Sequence, residues 1–133
     1  MLAQIGKPAP DFSLESTKDA TGTRDLGKKI SLSDYKGKWL IFFFYPLDFT
    51  FVCPTEITAL SDRYDEFKEF DAEIVGASTD SVHSHWAWLK TPREQNGIQG
   101  VRFPLVADYT KEVARAYGVL DEQSGVAQRG LFI

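Results

Sequence analysis

A chain of 133 residues, 43% hydrophobic and 14% aromatic, can bury one core and is too short for two ordinary domains, so a single domain spanning 1–133 is expected. Its 26% of charged residues suit a globular rather than a disordered sequence. The net charge of -4 and the lack of any Lys/Arg run argue against nucleic acid or an anionic membrane as the main partner.

The opening residues hold no apolar stretch behind a basic segment, so they read as neither a secretory signal nor a transit peptide. The longest apolar run, 39–47, is too short to span a bilayer. The expected compartment is the cytoplasm. A single cysteine excludes an internal disulfide and a cysteine-built metal site, and two histidines do not supply the missing ligands. In a reducing compartment that cysteine is either inert core or a nucleophile.

The first thirty-odd residues are turn-rich, with Pro8, Pro10, Gly22 and Gly27 around a short strand-like piece at 12–14. They read as an N-terminal extension packed on a core. Residues 39–45 are continuously apolar strand formers, the pattern of a central strand covered on both faces, and the run stops at Pro46. From Pro54 to Phe70, the apolar residues Ile57, Leu60, Tyr64 and Phe67 recur at spacings of three and four and predict an amphipathic helix, with Pro54 in its first turn.

Residues 74–78 form a second predicted strand, after which Asp80 or Ser81 can cap a helix carrying Val82, Trp86 and Leu89. Strand, helix and strand in succession imply a parallel pair with a right-handed crossover. A third strand is predicted at 103–107, a third helix at 110–117 closed by Gly118, and a further apolar strand starting at Leu131. The order predicts an α/β sandwich with a mixed central sheet flanked by helices. An apolar strand at Leu131 to Ile133 with nothing after it would leave edge and core uncovered, so the domain reads as C-terminally incomplete.

The segment from Pro46 to Glu56 leaves the end of a buried strand and enters a helix at Cys53. Ligands of open α/β sheets gather beyond the carboxyl ends of the strands. A cysteine in a first helical turn faces unpaired backbone N–H groups and the positive end of the helix dipole, which favour thiolate over thiol. The bland alternative is a small buried hydrophobe. Thr50 adds a hydroxyl three residues earlier and Pro46 can shield the loop from water, although taken singly they fit a helix cap and a turn residue.

The pattern Pro-x-x-x-Thr-x-x-Cys at Pro46, Thr50 and Cys53, followed by Pro-Thr-Glu, resembles the active-site signature of peroxiredoxins. The longer run from Phe44 to Glu56 is similar to the typical two-cysteine branch, the alkyl hydroperoxide reductase C and thiol-specific antioxidant group. The resemblance extends to Gly6 to Phe12, to Val75 to Ser81 with Trp86, to Phe103 to Asp108, to Tyr117 to Val119 and to Gln128 to Ile133. It implies a thioredoxin-like fold with an N-terminal extension and a thiol-dependent peroxidase of antioxidant defence, acting on hydrogen peroxide and organic hydroperoxides. It also implies that the last of these segments carries the family's essential arginine, here Arg129.

If the strand at 129–133 runs antiparallel to 39–45, Arg129 lies beside Pro46, Thr50 and Cys53. Its guanidinium there would stabilise the thiolate and donate to a peroxide oxygen, where the alternative is a surface arginine with a solvated head. The reaction needs donors for the charge that develops as the O–O bond breaks, and the Thr50 hydroxyl, Arg129 and the Cys53 N–H can supply them, leaving a sulfenic acid. Glu56 would position Arg129, or simply offset the helix dipole. His83 and His85 are two apart and cannot form an i, i+4 metal pair, so they read as surface or outer-layer residues. Trp86 and Trp88 read as core and interface, and Asp48, Phe49 and Phe51 as packing around the loop.

Neither a metal nor an organic cofactor is implied. The resemblance suggests homodimers or rings of dimers, reduced by a thioredoxin-like protein or a flavoprotein disulfide reductase. Typical two-cysteine members carry a resolving cysteine beyond the point matching residue 133, so recycling of Cys53 falls to another thiol or to the missing tail of a partner subunit. The stretch from Asn96 to Gly100 lacks the Gly-Gly-Leu-Gly sequence associated with peroxide-sensitive members, which leans toward robustness. Three rival readings keep the same residues: a one-cysteine peroxidase, a redox-sensing chaperone-like oligomer with Cys53 as sensor, and a dithiol oxidoreductase, the last disfavoured by the missing C-x-x-C spacing.

Overall fold

The computed structural model describes residues 2–22, 24–50 and 53–133, the side chain of Cys53 excepted. Its frame is a four-stranded sheet built on β3 (Trp39–Phe44), β4 (Ala72–Ser78), β5 (Leu105–Ala107) and β8 (Gly130–Phe132), in the order β5-β4-β3-β8. β3 pairs in parallel with β4 along its whole length, and β4 in parallel with β5, whereas β8 runs antiparallel to β3 with Gly130 opposite Phe44. The mixed sheet is the expected one.

The apolar run in β3 has the physical cause inferred for it, since successive side chains point to opposite faces and both faces are covered. Phe42 and Phe44 enter one core with Phe12, Val75, Ala77 and Tyr117. Ile41, Phe43 and Tyr45 enter the other with Ile57, Ile74, Trp88 and Leu105. The cover ends before the strand does, because Trp39 remains 65% exposed at its start.

The second core is covered by α1 (Cys53–Asp62), α2 (Tyr64–Glu69) and α3 (Val82–Lys90), which supply Ile57, Leu60, Tyr64, Phe67 and Trp88. The sequence predicts one helix over 54–70, but the backbone leaves helical geometry at Arg63, with φ -102° and ψ 13°. Tyr64 and Phe67 keep facing the same core across the break, which is why the apolar spacing does not reveal it. At α3 the two candidate caps separate: the Ser81 hydroxyl accepts from the Ser84 N–H at 3.2 Å, while Asp80 is engaged elsewhere. On the other face lie α4 (Glu112–Ala116), shorter than expected, and a small hairpin of β6 (Leu120–Asp121) and β7 (Val126–Ala127).

The N-terminal segment adds to the sheet instead of merely resting on it. Its own pair, β1 (Ser13–Leu14) and β2 (Ile30–Ser31), leads into a bridge between Ser16 and Val106, with Thr17 N–H donating to Leu105 O at 3.0 Å and Ala107 N–H to Glu15 O at 2.9 Å. The β5 edge is thereby closed.

Packing is close where β3, β4 and β5 meet. A β-carbon on Gly76 would stand 2.7 Å from Phe43 Cζ and 2.9 Å from Leu105 Cδ2, both in the second core. Gly76→Ala is expected to destabilise the fold by about 1–3 kcal/mol, because overpacking a filled core forces its neighbours off their rotamers. Urea denaturation checks it, through a lowered midpoint at unchanged slope.

Candidate active site

Because β3 and β4 are parallel, their carboxyl ends reach the same edge of the sheet, where Tyr45 N–H donates to Ala77 O at 3.0 Å. The chain turns at half-buried Pro46 and runs over Leu47 to Thr50, and α1 opens at Cys53. The Cys53 backbone thus occupies the helix start expected for it. Its thiol, and Phe51, lie outside the described residues.

A buried polar cluster holds this loop. The Tyr45 hydroxyl donates to Asp48 Oδ1 at 2.7 Å, while Asp48 Oδ2 accepts from Ser84 Oγ at 2.8 Å and faces His85 Nδ1 at 2.8 Å. His85 Nε2 lies 2.9 Å from Val106 O, and since a carbonyl can only accept, that nitrogen carries a proton. A second proton then lies between Nδ1 and the carboxylate. The Asp48 N–H donates to Asp80 Oδ2 at 2.7 Å, and Ser78 Oγ donates to the same oxygen at 3.1 Å.

Burial, with the Asp48 carboxylate beside it, pushes the Tyr45 phenol well above its ordinary pKa and keeps it a donor. Burial likewise raises the Asp80 carboxyl above the usual range, against the opposing hydrogen bond from Asp48 N–H. The whole cluster ties the loop after β3 to β4, α3 and β5.

This corrects two sequence-based expectations. Asp48 is not packing but the acceptor at the centre of the cluster, and His85 is fully buried in the layer behind the loop, so the surface reading fails for it while the outer-layer one stands. Spacing along the chain carries no sign that positions 48 and 85 meet. Only the strand order brings them together.

Thr50 Oγ1 donates to Leu47 O at 3.1 Å, so its proton is directed into the loop and its lone pairs remain for a donor. The Thr50 carbonyl accepts from Asn96 Nδ2 at 2.9 Å, a contact the sequence did not suggest. Phe49 adopts φ 62° and sets its half-exposed ring 6.0 Å from that of Trp88. Trp88 is core, as expected, while Trp86 is partly exposed beneath the Lys90 ammonium.

Arg129 directly precedes β8, whose pairing with β3 brings it to the end of the sheet where α1 begins. Its Nε donates to Glu56 Oε1 at 2.9 Å, with both side chains about half exposed. The two line a groove of about 590 Å³ with Phe43, Leu60, Phe67 and Leu131. Of the five residues singled out by sequence, the structure therefore joins Glu56 to Arg129 directly and sets Pro46 and Thr50 on the loop leading to Cys53. Among the described residues no helix is long and apolar enough to cross a membrane.

A model of the AhpC/TSA family matches residues 5–133. This chain belongs to the AhpC/TSA family. Among its members, the chain is 53% identical over 131 residues to a putative peroxiredoxin, YkuU, of Bacillus subtilis, covering 97% of this chain and 71% of that protein. It is 56% identical over 133 residues to peroxiredoxin-1 of Gallus gallus, covering 98% and 64%. The chain thus spans roughly two thirds of the length of these relatives.

Solved structures of the family agree. The reduced two-cysteine peroxiredoxin of Plasmodium vivax superposes with a TM-score of 0.86 at 38% identity, covering 96% of this chain and 76% of that one. AhpC of Mycobacterium tuberculosis gives 0.83 at 37% identity, covering 99% and 76%. The thioredoxin-like fold with its N-terminal extension is the AhpC/TSA fold.

Within this fold the Asp48 cluster makes a quantitative demand. Removing the imidazole in His85→Ala strips the buried carboxylate of a partner and is expected to cost about 3–5 kcal/mol. The double variant His85→Ala with Asp48→Asn removes the uncompensated charge as well and should recover part of that loss. Denaturation of all four proteins of the cycle measures the coupling, and simple additivity would contradict it.

Proposed function

We propose that this chain is a thiol-dependent peroxidase that reduces hydrogen peroxide and organic hydroperoxides through Cys53. The observation that carries the reading is the start of α1 at Cys53, on the carboxyl edge of β3 and β4, within a chain that matches the AhpC/TSA family over nearly its whole length. A thiol in the first helical turn meets backbone N–H groups with no intrahelical partner and the positive end of the helix dipole, which favour the thiolate.

The thiolate attacks one oxygen of the hydroperoxide in line with the O–O bond. The S–O bond forms as the O–O bond breaks, sulfur is oxidised to the sulfenic acid, and the other oxygen leaves and takes up a proton as water or an alcohol. Arg129, steadied by Glu56, is the cation for the thiolate and the developing oxyanion. Thr50, its proton directed to Leu47 O, offers its lone pairs to the O–H of an incoming hydroperoxide. Pro46 closes the loop against water.

A thiol returns the sulfenic acid to use as a disulfide, and a thioredoxin-like or flavoprotein disulfide reductase restores the thiol. The 133 residues act as one domain, in the cytoplasm, in homodimers or rings of dimers. The names of the matched proteins, peroxiredoxins and AhpC, support the peroxidase reading.

Cys53→Ser is expected to abolish rapid hydrogen peroxide consumption in stopped-flow measurements with a thiol reductant, and undiminished consumption would defeat the reading. Arg129→Met should keep the fold while lowering the second-order rate by about 10²-fold, the scale of losing one donor to a developing oxyanion. A wild-type rate in that variant would remove the guanidinium from the mechanism.

A further inference from the structure

Of the five tyrosines in the chain, Tyr45 alone is fully buried, and its hydroxyl donates to Asp48 Oδ1 at 2.7 Å. A phenol that loses an electron becomes a strong acid, so it is oxidised readily only where a base stands ready for its proton. Asp48 is that base. Its other oxygen is held by the Ser84 hydroxyl at 2.8 Å and by His85 Nδ1 at 2.8 Å, so Oδ1 stays aimed at the phenol. In a site this dry the proton has one short path, and no water competes for it.

An electron has a path of its own. The Tyr45 ring lies 5.7 Å from that of the fully buried Trp88, which lies 6.0 Å from the half-exposed ring of Phe49. Both separations are those of aromatic rings in contact. The three rings therefore connect the buried phenol to the surface of the loop, and an electron can leave along them while no reactant enters the core.

We propose that Tyr45 is a radical site that gives this chain a second activity, the one-electron reduction of peroxyl radicals to hydroperoxides. A peroxyl radical ROO• at the Phe49 ring draws one electron from Tyr45 by way of Trp88. As the electron leaves, the phenolic proton passes to Asp48 Oδ1, so Tyr45 becomes a neutral phenoxyl radical beside a protonated carboxyl. The anion ROO⁻ takes a proton from water and leaves as ROOH. A one-electron reductant of the ascorbate class then returns the electron, and Asp48 returns the proton. The hydroperoxide so formed is the substrate proposed for Cys53, which follows on the same loop, yet the radical step itself needs no thiol.

The test uses the full chain carrying Cys53→Ser, in which no thiol competes for the radical. Peroxyl radicals are supplied by a water-soluble azo initiator in oxygenated buffer, and freeze-quenched samples are read by electron paramagnetic resonance. A phenoxyl spectrum is expected, narrowing when the tyrosine rings are deuterated. Adding Tyr45→Phe should abolish it, whereas adding Tyr109→Phe, at the one exposed tyrosine, should leave it in place. Electron–nuclear double resonance in light and heavy water needs no substitution at Tyr45, and should find one exchangeable proton at the phenoxyl oxygen, donated from Asp48.

A phenoxyl spectrum that survives in folded Tyr45→Phe overturns the radical site, as does the lack of any phenoxyl spectrum. If Tyr45→Phe does not fold, the double-resonance spectrum decides, and a phenoxyl oxygen without an exchangeable proton rules Tyr45 out. None of these results bears on the peroxidase reading, which is decided by peroxide consumption at Cys53.

Discussion

One buried carboxylate organises the catalytic end of this protein. Asp48 takes hydrogen bonds from Tyr45 and Ser84 and shares a proton with His85, while its own N–H is held by Asp80. The partners come from three parts of the frame: Tyr45 from the end of β3, Ser84 and His85 from the start of α3, and Asp80 from the turn after β4. An ionised or half-shared carboxylate in an apolar interior is tolerated only when its oxygens are satisfied, so all these segments must be in place together. The Cys53 loop inherits its path from that requirement.

The chemistry proposed for Cys53 follows from this path. A helix N-terminus delivers unpaired donors to whatever stands at its mouth, but only if the chain enters the helix at a fixed angle. Here the entering segment is pinned at Asp48 from inside and at Thr50 by Asn96 from the adjoining corner. Strain at Phe49 is the counterpart of that double attachment. One turn along α1 from Cys53, the Glu56 and Arg129 pair depends on the antiparallel register of β8 against β3, since Gly130 opposite Phe44 fixes where the preceding arginine emerges.

Much of this was legible in the sequence, and for identifiable reasons. The alternation hidden in residues 39–45 and the apolar spacing of Ile57, Leu60, Tyr64 and Phe67 express burial, and burial is what the fold preserves. The break at Arg63 was not legible, because both halves of the helix keep their apolar side on one core. The roles of His85 and Asn96 were hidden for a different reason. Each is decided by a partner far off in the chain, Asp48 and Thr50, and by strand order, which local pattern does not encode. A polar residue in a loop reads as solvent-facing until the tertiary structure supplies a buried acceptor.

The central claim is that the chain path holds Cys53 as an anion at the mouth of α1. Its most direct test is the pH dependence of Cys53 alkylation by iodoacetamide, followed by intact mass, in the parent chain and in a denatured control. The account predicts a reaction midpoint in the folded protein clearly below that of the denatured one. A folded midpoint equal to the control, or above it, would contradict the account.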